Sequence, residues 1–193
     1  MRRAAEALGL GYAASDPAYP GNSAFEYPFE LFSRGIAQTC ENVISGDVAG
    51  IRIVAFDFAY VLATGDYEHP GRSEPIRFTC AVASVAGHRP HVVIEPASSS
   101  LVARADGEPV TLEWGDFNRR YRVVSPERAF AAALLDVDLM AWLVDAAPDL
   151  ELTWEVQRDR LLCRTSTLDP GRVPQLVRAL ATFAGKIGPG AAS

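Results

Sequence analysis

The chain predicts an α+β fold: an antiparallel sheet with helices packed mainly on one face and an amphipathic helix at the C-terminus. Three observations carry that prediction. Apolar runs separated by turn residues succeed one another from residue 41 to residue 96, the order that hairpins make. Helix start signals gather toward the ends of the chain and after residue 125. In the last segment, Val173, Leu176, Val177, Leu180, Ala184 and Ile187 fall at spacings of three and four, which draws a single apolar stripe.

The elements follow in order. "AAEALGLG" (4–11) reads as a short helix stopped at Gly9, because glycine accepts the left-handed cap. "SDPAYPGNSAFEYPFELFSRG" (15–35) is rich in proline, glycine and aromatics, and reads as an irregular arm with one helical turn near Phe29 to Ser33. "ENVISGDVAGIRIVAFDFAYVLA" (41–63) predicts a hairpin turning at Gly46-Asp47. In its second run Val54, Phe56, Phe58 and Tyr60 share one face, and Ile53, Ala55, Asp57 and Ala59 the other. Both faces are mostly apolar, so this strand is expected at the centre of the sheet, covered on both sides.

A polar loop (64–75) leads to strands expected over 76–86 and 91–96. Residues 98–107 read as a short connection, and 110–125 as two extended pieces around Gly115-Asp116. Ser125-Pro126-Glu127 carries the signals of a helix start: a serine cap, a proline in the first turn and an acid at the positive end. That helix is expected to reach Leu135, and a second to begin at Asp136 or Asp138 and end before Pro148. "LELTWEVQRDRLLCRTS" (150–166) alternates cleanly and predicts a hairpin turning at "QRDR". Asp169 and Pro170 open the last helix, and residues 188–193 form a tail. One domain over 1–193 is expected, with 1–38 as N-terminal helix and arm.

Composition narrows the function. Of 193 residues, 49% are apolar and 22% charged, values ordinary for a globular chain. A net charge of −6 and a pI near 5.1 argue against a nucleic-acid partner. Seventeen arginines accompany a single lysine, Lys186, so arginine abundance by itself is no signal. Cys40, Cys80 and Cys163 lie far apart and read as reduced thiols, which with no export signal implies the cytoplasm. The most apolar stretch, 130–147, is broken by Asp136, Asp138 and Asp145, so no membrane span is expected.

"NVISGDVAGIRIVAFDFAY", "RFTCAV" and "FNRRYRVVSPERAFAAALLDVDLMAWL" together resemble a bacterial family of domains of unknown function, some joined to transmembrane helices. The shared skeleton is an Asn-x-x-x-Gly hairpin, the aromatic "FDFAY" strand and Phe-x-x-x-Tyr-x-Val before a helix, over residues 39 to 146. The resemblance implies no catalytic residues to carry over. This chain departs from those members in its lack of membrane helices.

Few residues stand out as chemistry. Arg119, Arg120, Tyr121 and Arg122 offer guanidinium forks that suit an anion or an acidic partner, or else pair with Glu113, Asp116 or Glu127 on the surface. Asp57 interrupts an apolar strand. A carboxylate there needs a partner, with Arg77 expected across the hairpin, or an open cleft. His88 and His91 lack a clear third ligand beyond the distant His69, so no metal and no cofactor are expected. Cys80 and Cys163 fall on buried faces and read as inert. No G-x-S-x-G, P-loop, G-x-G-x-x-G or H-E-x-x-H occurs.

Two readings remain. The first is a non-catalytic protein-interaction or regulatory module, whose arm presents Phe25, Tyr27, Phe29 and Phe32 to a protein partner or else covers its own core. The second is a small-molecule or acidic-ligand binder, with enzyme activity not excluded, whose cleft lies near Asp57 and Arg119 to Arg122. The sequence sets no oligomeric state.

Overall fold

The computed structural model describes residues 1–15, 28–62, 74–99 and 107–188. Among them one antiparallel sheet is built from β1 (Gly11–Ala13), β2 (Ile36–Val48), β3 (Ile51–Val61), β4 (Ile76–Pro96), β5 (Glu108–Pro109), β6 (Tyr121–Ser125) and β7 (Thr153–Ser166). The helices are α1 (Arg2–Leu8), α2 (Gly115–Arg120), α3 (Arg128–Leu134), α4 (Val137–Asp145) and α5 (Val173–Ile187). The order is β1-β2-β3-β4-β6-β5, with β7 also paired to β4. The first half of β4 thus lies between β3 and β7, and its second half between β6 and β7.

Both β4 and β7 are longer than the sequence suggests. The expected strands 76–86 and 91–96 are one strand, and the expected hairpin of 150–166 is also one strand. "GHRP" and "QRDR" do not turn the chain; they face each other as a bulge. Ser84 pairs with Arg160 and the next partners are Arg89 and Arg158, with Gly87 and Arg158 both at positive φ. A bulge changes which face a residue occupies, since side chains alternate strictly. In β4 the inward residues are Ala81, Ala83 and Val85 before the bulge, and Val92 and Ile94 after it. In β7 they are Trp154 and Val156 before it, and Leu161 and Cys163 after it. The phase slips in both strands at one place, so the pair bends together and keeps one face inward.

That inward face packs on α5. Val173, Leu176, Val177, Leu180 and Ala184 are buried as their spacing predicts, and Phe183 joins them. The Phe183 ring stacks on Trp154 at 4.7 Å between centroids, and Trp142 of α4 meets both edge-on. Arg89, inside the bulge, reaches the end of α5. Its Nη2 donates to the carbonyls of Ile187 (3.1 Å) and Gly188 (2.6 Å), and its Nε to Ala86. A guanidinium at a helix C-terminus satisfies carbonyls that lack helical partners.

The opposite face carries a second cluster. Val54, Phe56, Phe58 and Tyr60 of β3 share it as predicted, with Phe78, Cys80, Val82 and Leu162. The 3-10 turn Glu30–Ser33 seals this cluster with Leu31 and Phe32. Phe32 packs edge-on to Phe58 at 5.0 Å, and Phe29 edge-on to Phe32.

Other expectations need correction. The hairpin turns at Ala49-Gly50, whose φ values of 51° and 78° match the two-residue turn that strand twist favours. Gly46 instead lies within β2 beneath Leu10, whose Cδ2 would stand 2.6 Å from an added Cβ. Gly115-Asp116 opens α2 rather than a turn, and the buried Phe117 of that helix stacks at 5.2 Å on Tyr121, where the chain turns into β6. Ser125 ends β6: its hydroxyl donates to the His91 carbonyl and accepts from the Glu127 amide, and α3 starts at Arg128. Asp136 caps α4 by accepting from the Leu139 amide at 2.8 Å, and Asp169 caps the turn before α5.

Phe32→Ala removes the centre of the second cluster and should cost about 3–5 kcal/mol of unfolding free energy, read from urea denaturation. A loss below about 1 kcal/mol would show that this turn is not part of the core.

Candidate functional site

The arginine cluster is divided between two elements. Arg119 and Arg120 end α2, and Tyr121 and Arg122 begin β6. Arg119 is exposed and pairs with Asp116 on its own helix. Arg120 Nη1 donates to the Val144 carbonyl at 2.6 Å, and the Tyr121 hydroxyl donates to the Leu143 carbonyl at 3.0 Å. These two side chains hold the C-terminal end of α4, the negative pole of that helix. Arg122 binds Glu95, its neighbour across the strands, at 2.9 Å, and the Ser99 carbonyl at 3.0 Å. The cluster is therefore engaged with its own fold, though not with the acids expected beyond Asp116.

Asp57 sits half-buried in β3. It is not paired with Arg77, which lies across from Ala59. Its Oδ2 accepts from Asn42 Nδ2 and its Oδ1 from Thr79 Oγ1, both at 3.0 Å. Asn42 is held in turn by the Tyr12 hydroxyl, and Thr79 Oγ1 accepts from the Leu168 amide. Asn42 occupies the bulge of β2 at a φ of 56°, a conformation asparagine tolerates better than most residues. Sequence reasoning missed this chain of neutral donors, because Asn42 and Thr79 reach Asp57 only through strand register.

Three recesses open side by side along one margin of the sheet. One of 330 Å³ includes Arg120, Tyr121, Leu143 and Asp149; the next, of 270 Å³, includes Arg77, Phe78, Thr153 and Arg164. They share Pro96, Ser98 and Glu151. A third recess, bounded by Leu168, Asp169 and Arg172, again includes Glu151. Asp57 lines a separate hollow of 90 Å³ with Asn42 and Arg77. So the two sequence-predicted patches do not meet: Asp57 and Arg120 line different recesses.

Glu151 stands at the confluence with a φ of 49°, uncommon for a residue other than glycine. Phe29 and Phe32 face inward, 2% and 1% exposed, and so are not presented to a partner. Phe25 and Tyr27 lie outside the described residues. His91 Nε2 contacts Glu155 Oε1 at 2.8 Å, and His88 is exposed. Among the described residues no three His, Cys, Asp or Glu side chains gather about a possible metal position. Burial pushes the thiols of Cys80 and Cys163 well above their ordinary range.

No family model and no curated protein matches this chain. Among solved structures it is similar to the mycobacterial trehalose monomycolate transport factor A, TtfA, with a TM-score of 0.71 and 14% identity, covering 100% of this chain and 96% of that one. At that identity the likeness shows the fold: an α+β architecture with an antiparallel sheet and a C-terminal helix. Among the described residues no helix is long and apolar enough to cross a membrane.

Because only the thiolate reacts, Cys80 and Cys163 should stay unlabelled by a thiol reagent in the folded protein at neutral pH and label fully in denaturant, as read by peptide mass spectrometry. Rapid labelling of either in the folded state would contradict their burial.

Proposed function

We propose that this chain is a non-catalytic protein-interaction or regulatory module, working in the cytoplasm and akin to the bacterial family that residues 39–146 resemble. The observation that carries the reading is the set of open recesses meeting at Glu151. A groove of shallow, connected hollows suits an extended segment of a partner, whereas small-molecule sites are concave and bury most of their ligand.

Further support comes from how the reactive groups are spent. Asp57 accepts from two neutral donors, Arg120 and Tyr121 hold α4, Arg122 holds Glu95, and the two thiols are sealed in the core. Glu151 adds a local argument. Strained backbone of this kind costs of order 1–3 kcal/mol and concentrates at binding sites.

The test is site-specific photocrosslinking in the native cell. Probes at Ser98 and Glu151 should each give one and the same discrete adduct, and a probe at Val137, 72% exposed on α4, should not. Equal adducts at all three positions, or none, would contradict a partner groove at this margin.

A further inference from the structure

The 270 Å³ recess holds a group that its surroundings do not explain. Arg164, on β7, is 4% exposed. Its Nε is buried without a hydrogen-bond partner, and no hydrogen bond or ion pair joins its guanidinium to any described residue. Its one specific contact is the face of Phe78, with the guanidinium carbon 5.5 Å from the ring centroid. Among the described residues no counter-charge meets it, and a ring face offsets only part of the cost of burying an arginine. Asp57 does not supply the missing charge. By the alternation of the strands it shares a face with Ala55, in the α5 cluster, whereas Arg164 shares a face with Leu162 on the opposite side.

Arg164 and Phe78 both line the 270 Å³ recess, and Arg77 stands in its wall. The recess is bordered by Arg164, by Arg77 at its rim and by one carboxylate, that of Glu151, so it is locally positive in a chain of net charge −6. Hydroxyl-bearing Ser98, Ser99, Thr153, Thr165 and Ser166 complete the polar part of the lining.

We propose that this recess is an oxyanion site, taking one carboxylate or phosphate group on the fork of Arg164, with Arg77 as an exposed cation at the rim. A guanidinium offers paired donors in the geometry these oxyanions accept, and the burial of its Nε holds the fork in place before the ligand arrives. The recess is one of those in the partner groove, but the two readings fail separately: a chain that binds oxyanion but forms no crosslink keeps this inference, and a chain that forms crosslinks but binds no oxyanion loses it.

Thermal unfolding with added inorganic phosphate, acetate or chloride at matched ionic strength tests it. Phosphate, acetate or both should raise Tm in a saturable way where chloride does not, and the better of the two identifies the group preferred. Arg164→Met should be at least as stable as the wild type without oxyanion, since no described residue is bonded to the guanidinium and the buried Nε is left unpaired, and should lose the response. Arg164→Lys keeps the charge without the fork and should bind about ten- to a hundredfold more weakly; it also serves if the methionine variant fails to fold. Arg77→Gln should weaken binding about two- to fivefold. Equal effects of all three salts on the wild type, or an undiminished response in Arg164→Lys, would overturn the proposal. So would an Arg164→Met protein that folds and is destabilised in every buffer alike, because the arginine would then be structural.

Discussion

The fold depends on one constraint: β4 and β7 must slip phase at the same place. Each strand presents its apolar side chains at one parity before the bulge and at the other after it. A slip in one strand alone would turn half its core residues outward, at about 1.5–3 kcal/mol for each large side chain. Because the slips coincide, the two-stranded ribbon bends as a unit and its apolar face stays against α5. Arg89 joins the two features, since it sits in the bulge and binds the last carbonyls of that helix. Bend and helix thus fix each other.

The bend also makes the candidate site. Ile76 and Pro96 stand at opposite ends of β4, yet both line the recess that holds Arg164, as do Thr153 and Ser166 from opposite ends of β7. A flat sheet would keep those ends far apart. The margin they form is continued by Glu151 and by the α4 terminus that Arg120 and Tyr121 hold in place. The arginines that the sequence displays most openly serve the frame, and a less visible one, Arg164, is left for a ligand.

Much of the architecture was legible in the residues. The two faces of β3, the stripe of α5 and the caps at Gly9, Asp136 and Asp169 follow from local spacing and local hydrogen bonding, which neighbouring residues decide by themselves. The turns were harder to read. Gly87 and "QRDR" have turn composition, but a turn and a bulge use the same residue types, and only the partner strand selects between them. The parity change from Trp154 and Val156 to Leu161 and Cys163 was the available signal, and it distinguishes the bulge once β4 shows the matching change. Arg164 was hidden for a related reason. Within "LLCRTS" it shares a face with Leu162 of the second cluster, but that no described residue pairs with it is a property of three-dimensional surroundings. Asn42 and Thr79 reach Asp57 through register alone.

Native-state hydrogen exchange measures the central claim most directly. If the paired bulge and α5 stabilise each other, the amides of β4, β7 and α5 should exchange through one shared opening, with the same free energy and the same dependence on denaturant. Exchange of α5 through a much easier opening, with β4 and β7 still protected, would show that the bent ribbon stands without its helix and would contradict the account.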